Sequence, residues 1–168
     1  MDKTSSPKTL ILGLGNPLSG DDGFGARVLE VLQQNKTEFL PGVSLINAFT
    51  DLLNHIETFA AYDRVVLIDA ILDPENKLGQ PGLIVTLREK EFISWSESSS
   101  SVHQMSPILA VRLFRQLYPS SQVQISLVGL VVDQLTFALR FATDLRIQEA
   151  AAVVEGLLKT RSAANPNS

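Results

Sequence analysis

Residues 9–25 read TLILGLGNPLSGDDGFG, and this stretch decides how the chain begins to fold. Its first part, Thr9 to Leu14, is apolar and predicts a short buried strand. Gly15-Asn16-Pro17 then predicts a turn. From Asp21 onward the apolar residues follow helical spacing, and we expect an aspartate at this point to cap the first helical turn. The stretch therefore predicts a strand, a loop and a helix.

Strands and helices keep alternating along the rest of the chain. Further strands are predicted at residues 43–48, 65–68 and 123–131, and helices at residues 52–59, 106–117 and 147–158. The third strand is expected to stop at Asp69. Turn-forming residues then leave no room for a crossover helix, so residues 83–87 should run antiparallel. The predicted fold class is α/β, a three-layer α/β/α sandwich of the phosphorylase/hydrolase type around a mixed, mostly parallel sheet.

The length of 168 residues is that of one domain. We assign residues 9–161 to this domain, and we expect residues 1–8 and 162–168 to be flexible. Inside the domain, the serine-rich residues 94–101 (SWSESSSS) predict a mobile loop.

The composition excludes several kinds of partner and site. The formal net charge of -4 provides no basic field for nucleic acid. Cysteine is absent from the sequence, which removes disulfides and zinc–thiolate sites. No apolar run approaches the roughly 20 residues of a membrane span. We therefore expect a cytoplasmic protein without membrane insertion.

The glycine-rich loop does not fit dinucleotide binding. A G-x-G-x-x-G fingerprint that begins at Gly13 needs its third glycine at the position of Leu18. Asp21 and Asp22 would also face a pyrophosphate at the helix N-terminus, where anions bind best without negative side chains. Dinucleotide binding is therefore disfavoured.

Three residues form the candidate site. Asp22 adds a second carboxylate where one is enough to cap a helix, and Asp69 comes at the carboxyl edge of a central strand, where α/β proteins bind ligands. His103 follows the serine-rich loop, whereas His55 is expected to be solvated on a surface helix. Two carboxylates and one imidazole suit zinc, nickel or manganese, with a position left open for substrate.

Several of these residues belong to an ordered set that resembles a known family. The set consists of Gly13-x-Gly15-Asn16, Asp21-Asp22-Gly23-x-Gly25, Ile68-Asp69-Ala70, His103-Gln104 and Leu127-Val128-Gly129. Its order and spacing resemble those of the maturation proteases of nickel-iron hydrogenases, over residues 10–160.

The resemblance implies an activity, a substrate and a set of site residues. It implies an endopeptidase of aspartic or metal-assisted type that cuts a short C-terminal extension from the nickel-loaded precursor of a hydrogenase large subunit. By position, Asp22, Asp69 and His103 match the residues thought to contact nickel. The substrate would supply the nickel, zinc or another divalent cation could substitute in the site, and the protein would need no cofactor of its own. We add Asp21 as a candidate base, and we expect a monomer.

Two regions depart from the family pattern. The stretch after the second strand is usually glycine-rich in the family, whereas residues 47–52 read NAFTDL. Residues 132–141 are unusually apolar for a loop, which suggests contact with a partner.

Two alternatives stay open at this point. The segment Gly13-Leu-Gly-Asn-Pro17 also resembles the opening of the peptidyl-tRNA hydrolases, although Leu18 and the two aspartates do not continue their pattern and an acidic chain disfavours tRNA. The other alternative is a metal-recognising module that docks on the hydrogenase subunit without cutting it. Recognition and cutting would use the same residues, so the sequence does not separate them.

Overall fold

The computed structural model describes residues 7–98 and 105–159. In this part of the chain, one sheet contains β1 (Thr9–Leu14), β2 (Val43–Phe49), β3 (Arg64–Leu72), β4 (Ile84–Arg88) and β5 (Gln124–Val132). The strand order is β2-β1-β3-β5-β4, in which β4 pairs antiparallel with β5 and the other pairs are parallel. The predicted mixed, mostly parallel sheet is confirmed.

Helices cover both faces of this sheet. One face carries α1 (Phe24–Gln34) and α4 (Asp144–Lys159). The other face carries α2 (Glu89–Ser98), α3 (Met105–Leu117) and a 3-10 helix at Leu52–Ala61. The predicted three-layer α/β/α sandwich is therefore confirmed. Within residues 7–98 and 105–159, no helix is long and apolar enough to cross a membrane.

Each face of the sheet has its own apolar core, and β3 contributes to both. Val66 and Ile68 pack against α1 and α4. Leu67 and Ile71 pack with the 3-10 helix and α3 on the opposite face. Because successive residues of a strand point to opposite faces, Asp69 points to the same face as Leu67 and Ile71.

The serine-rich stretch differs from its prediction. Residues 94–98 belong to α2, because Phe92 and Trp95 are three residues apart and bury one side of this helix in the core. The surrounding serines hide this apolar pair when the stretch is judged by composition alone. Residues 99–101 lie outside the described residues. Residues 1–6 and 160–168 do so too, so of the flexible ends predicted at residues 1–8 and 162–168 only residues 7 and 8 are described.

The helix predicted at residues 52–59 is present, but it is wound as a 3-10 helix. Bonds that span three residues are typical of this helix type, and Asn54 N–H donates such a bond to the Asp51 carbonyl at its start. His55 lies on this helix and is half-buried rather than fully solvated.

Arg115 connects α2, α3 and the approach to β5. Its guanidinium donates from Nε to Glu89 Oε1 at 2.8 Å, and further N–H groups donate to the carbonyls of Ser121 and Val123 at 3.0 and 2.8 Å. The hydrogen bond to Glu89 raises the pKa of Arg115. This contact fixes the end of α3 against the start of α2.

Candidate active site

The two candidate carboxylates lie where the order of strands reverses. The chain passes from β1 through α1 to β2 on one side, and then returns to place β3 on the other side of β1. The carboxyl ends of β1 and β3 therefore border a crevice of the kind that binds ligands in open α/β sheets. Asp22 lies in the Gly20–Gly23 turn after β1, and Asp69 lies on β3.

The prediction that the third strand stops at Asp69 is wrong. β3 continues to Leu72, because β5 runs beside it and pairs Asp69 with Gly129. The pairing of β3 with β1 ends earlier, at Gly13 and Ile68. Asp69 is thus the first residue of β3 beyond its ladder with β1, which leaves it at the edge of the crevice.

Asp69 is a buried acid with an altered ionisation. Only 9% of its surface is exposed, and its Oδ1 accepts the N–H of Ala70 at 2.9 Å. Burial and, to a smaller extent, the charge of Asp22 raise the pKa of Asp69, whereas the hydrogen bond from Ala70 lowers it; together they move this pKa from 3.8 to about 8. Carboxyl groups with such perturbed pKa values cluster at functional sites.

Asp22 is held by the turn that follows β1. Its Oδ2 accepts the N–H of Asn16 at 2.8 Å, while Asn16 Oδ1 accepts the N–H of Leu18 at 3.0 Å. Gly15 has a φ of +94°, and a Cβ there would lie 1.8 Å from the Asp22 carbonyl oxygen. Only glycine permits both this backbone conformation and this close approach. The glycine turn therefore positions the Asp22 carboxylate.

A second glycine brings Asp22 close to β3. A Cβ on Gly25 would lie 2.2 Å from the Ile68 carbonyl oxygen and 2.5 Å from that of Leu14. The first turn of α1 thus rests directly on the ends of β1 and β3. This contact explains how the charge of Asp22 acts on Asp69.

Asp21 has a different environment from Asp22. It is buried, and its Oδ1 accepts the N–H groups of Arg140 at 3.0 Å, Phe141 at 2.9 Å and Ala142 at 2.8 Å. The prediction that an aspartate caps α1 is wrong, because α1 begins at Phe24 and Gly23 stands at its N-cap without a side-chain bond. A carboxylate bound to three amides is suited to a structural role rather than to that of a base.

Phe49 ends β2 beside the turn that follows β1, and its backbone conformation is strained. Its φ is +48°, its carbonyl accepts the N–H of Gly15 at 2.8 Å, and the register with β1 shifts between Gly13 and Leu14 beside it. Left-handed backbone is unusual for an aromatic residue and is often found at functional sites. Residues 47–52 contain no glycine, but at Phe49 they adopt the left-handed backbone conformation that glycine favours.

The sequence prediction for His103 lies outside the described residues. α3 begins at Met105, on the face of the sheet to which Asp69 points. Among residues 7–98 and 105–159, no group of three His, Cys, Asp or Glu side chains is placed to hold a metal ion. Of the predicted set, the structure brings together Asp22 and Asp69.

The sequence and the fold both match known proteins. A model of the family described as hydrogenase maturation protease matches residues 26–156. Hydrogenase expression/formation protein HupM of Azotobacter chroococcum mcd 1 is 28% identical over 160 residues, 94% of this chain and 74% of its own length. Hydrogenase 2 maturation protease of Escherichia coli (strain K12) is 28% identical over 131 residues, 76% of this chain and 75% of its own length.

Two solved structures share this fold over most of both chains. The hydrogenase maturating endopeptidase HYBD from E. coli has a TM-score of 0.73 at 26% identity, over 90% of this chain and 91% of that one. The [NiFe] hydrogenase maturation protease HybD from Thermococcus kodakarensis has a TM-score of 0.68 at 26% identity, over 90% of this chain and 99% of that one. These matches do not favour a peptidyl-tRNA hydrolase. The chain belongs to the hydrogenase maturation protease family.

Proposed function

We propose that this protein is an endopeptidase that removes the C-terminal extension from the nickel-loaded precursor of a nickel-iron hydrogenase large subunit. The observation that carries the proposal is the meeting of Asp22 and Asp69 at the strand-order reversal, in a chain of this family. The proposal includes two expectations from the sequence, a cytoplasmic location and a monomeric state.

The acidic pair supports recognition of a cation. Two neighbouring carboxyl groups repel each other when both are charged, and burial of Asp69 adds to that cost. A divalent cation between them removes the repulsion. Carboxylate oxygens with an imidazole suit nickel, and zinc or another divalent cation would fit the same donors. We assign the imidazole to His103.

In this mechanism the precursor brings its own nickel, and Asp22, Asp69 and His103 bind the open coordination positions of that ion. Cleavage then depends on whether the precursor has been loaded. The ion would place the scissile peptide in the crevice. The attacking water would be activated by the ion, as in a metal-assisted peptidase, or by the two carboxyl groups, as in an aspartic peptidase. Asp21 takes no part as a base, and its three amide contacts instead fix the turn that carries Asp22.

The test compares nickel-loaded and nickel-free precursor after incubation with the purified protein. We expect the wild type to remove the mass of the extension only from the loaded precursor, as measured by intact mass spectrometry. Asp69→Asn and Asp22→Asn should each abolish this mass loss while they keep the fold. Asp63→Asn is the matched control. Asp63 is an exposed aspartate just before β3, at the end of the strands opposite to the acidic pair.

Three outcomes would contradict the proposal. Full activity of Asp69→Asn would remove the acidic pair from the reaction. Equal cleavage of both precursors would show that nickel is not checked. Binding of the loaded precursor without any mass loss would favour the docking module.

A further inference from the structure

An apolar surface lies beside the turn that carries Asp22. Leu18 is 87% exposed, Phe137 is 88% exposed and Leu139 is 56% exposed. We call these three side chains the apolar platform. Single exposed apolar residues are common on protein surfaces, but a group of them at one place indicates a binding surface.

The two loops that form the platform are in direct contact. A Cβ on Gly20 would lie 2.3 Å from the Ala138 carbonyl oxygen and 2.5 Å from that of Thr136. The backbone on both sides of Phe137 therefore packs against Gly20, two residues after Leu18. The three amide bonds of Asp21 add a second connection between the same loops.

The platform is held rigid without the help of its own apolar side chains. Leu135 and Phe141 of the same loop point inward and pack against the core of the α1/α4 face. Arg140 donates to both carboxylate oxygens of Asp133, at 2.7 and 3.3 Å, and lies over the Phe141 ring. A loop that is fixed in this way presents Phe137 and Leu139 at little cost in conformational entropy.

The position of the platform indicates which partner it meets. Leu18 is four residues from Asp22, so their Cα atoms are at most about 14 Å apart. A polypeptide bound with one peptide group at Asp22 and Asp69 reaches Leu18 within a few residues. Because Arg140 is paired with Asp133, the loop carries no unbalanced charge towards that polypeptide. Apolar side chains are what such a surface binds best.

We propose that the apolar platform binds a stretch of aliphatic or aromatic residues of the precursor, close to the bond that is cut. This inference rests on the proposed function and names a second contact between enzyme and substrate. The acidic pair recognises the metal, and the platform binds the polypeptide whether or not the metal is present.

The test uses Phe137→Ser and Leu139→Ser, with Phe39→Ser as the matched control. Phe39 is 77% exposed. It lies in the turn before β2, at the end of the strands opposite to Asp22 and Asp69. We expect each platform variant to raise KM for the nickel-loaded precursor by about tenfold and to leave kcat unchanged, because the lost contact is uniform binding. Phe39→Ser should leave both constants unchanged, and thermal unfolding should show that all three variants fold.

A binding measurement separates this inference from the proposed function. Calorimetric titration of nickel-free precursor should show about tenfold weaker binding to Phe137→Ser than to the wild type. This result is expected even if the wild type cuts neither precursor, an outcome that would contradict the proposed function alone. Unchanged KM and unchanged affinity in both platform variants would overturn the inference. A change of oligomeric state in these variants would also overturn it, because the surface would then bind a second copy of this chain.

Discussion

Asp21 and Asp22 are neighbours in the sequence, but their carboxylates have different roles. Asp21 is buried and accepts three amide N–H groups from one loop. Asp22 is half-buried, accepts one amide N–H from Asn16 and acts on the ionisation of Asp69. The role of each acid therefore depends on the groups that the rest of the fold places opposite it.

The ionisation of Asp69 should make the fold less stable as the pH rises. The folded protein keeps a proton on Asp69 up to its pKa of about 8, whereas the unfolded chain releases it above 3.8. Rising pH between these two values therefore favours the unfolded state. Asp69→Asn removes this effect. From pH 4 to pH 8 its free energy of unfolding should therefore rise relative to that of the wild type, by about 5 kcal/mol. Urea unfolding at several pH values measures this gain.

Asp63→Asn again provides the control for this titration. It compares the loss of an exposed acid with the loss of the buried one. A constant difference between Asp69→Asn and the wild type over the whole range would show that Asp69 ionises normally in the folded protein.

The left-handed backbone of Phe49 should lower the stability of the folded protein. At a φ of +48° a side chain with a Cβ is strained, whereas glycine is not. We expect Phe49→Gly to be more stable than Phe49→Ala by about 1 kcal/mol, as measured by urea unfolding. Ile46 lies in the same strand, and there the alanine variant should be the more stable of the two. The same order at both positions would contradict the strain at Phe49.

At the scale of elements, most of the fold was predictable from local patterns. β3 is apolar and β-branched at its start, and α3 and α4 have apolar residues at helical spacing, so each produces a strong local signal. The antiparallel β4 followed from the absence of space for a crossover helix. The errors occur where a tertiary contact decides, as when β5 extends β3 beyond Asp69 and the core buries Trp95 of α2.

The link between Asp21 and the loop at residues 140–142 should contribute strongly to stability. Asp21→Ala would leave three N–H groups without their acceptor, and an unsatisfied buried group costs about 1–3 kcal/mol. We expect this variant to lose about 3–5 kcal/mol of unfolding free energy, whereas Asp22→Ala should lose less than about 1 kcal/mol. Denaturant unfolding compares the two variants. Similar losses in both would contradict the structural role of Asp21.

The candidate site was predictable only in part, for a physical reason. Asp22 and Asp69 follow from the rule that ligands bind at the carboxyl edge of a parallel sheet. The partners of Asp21 are backbone amides more than a hundred residues away, and backbone amides leave no trace in the sequence. The strain at Phe49 depends on the register shift beside β1, which no local pattern reveals.

At the scale of the whole molecule, the charge balance predicts which macromolecules the protein avoids. The net charge of -4 should prevent binding to tRNA at moderate salt, because counterion release needs basic groups. Filter binding with labelled tRNA measures this directly, and we expect no saturable retention. A dissociation constant below about 10 µM would contradict this expectation and revive the peptidyl-tRNA hydrolase alternative.

The bond between Asp21 and residues 140–142 also has a consequence for biosynthesis. The turn that carries Asp22 leaves the ribosome before the loop that locks it, because the bonded residues are 119 to 121 positions apart. The acidic pair therefore reaches its final geometry only after residues 140–142 have emerged. A truncated or nascent chain lacks a complete site, so unfinished copies of this protein would not cut their substrate.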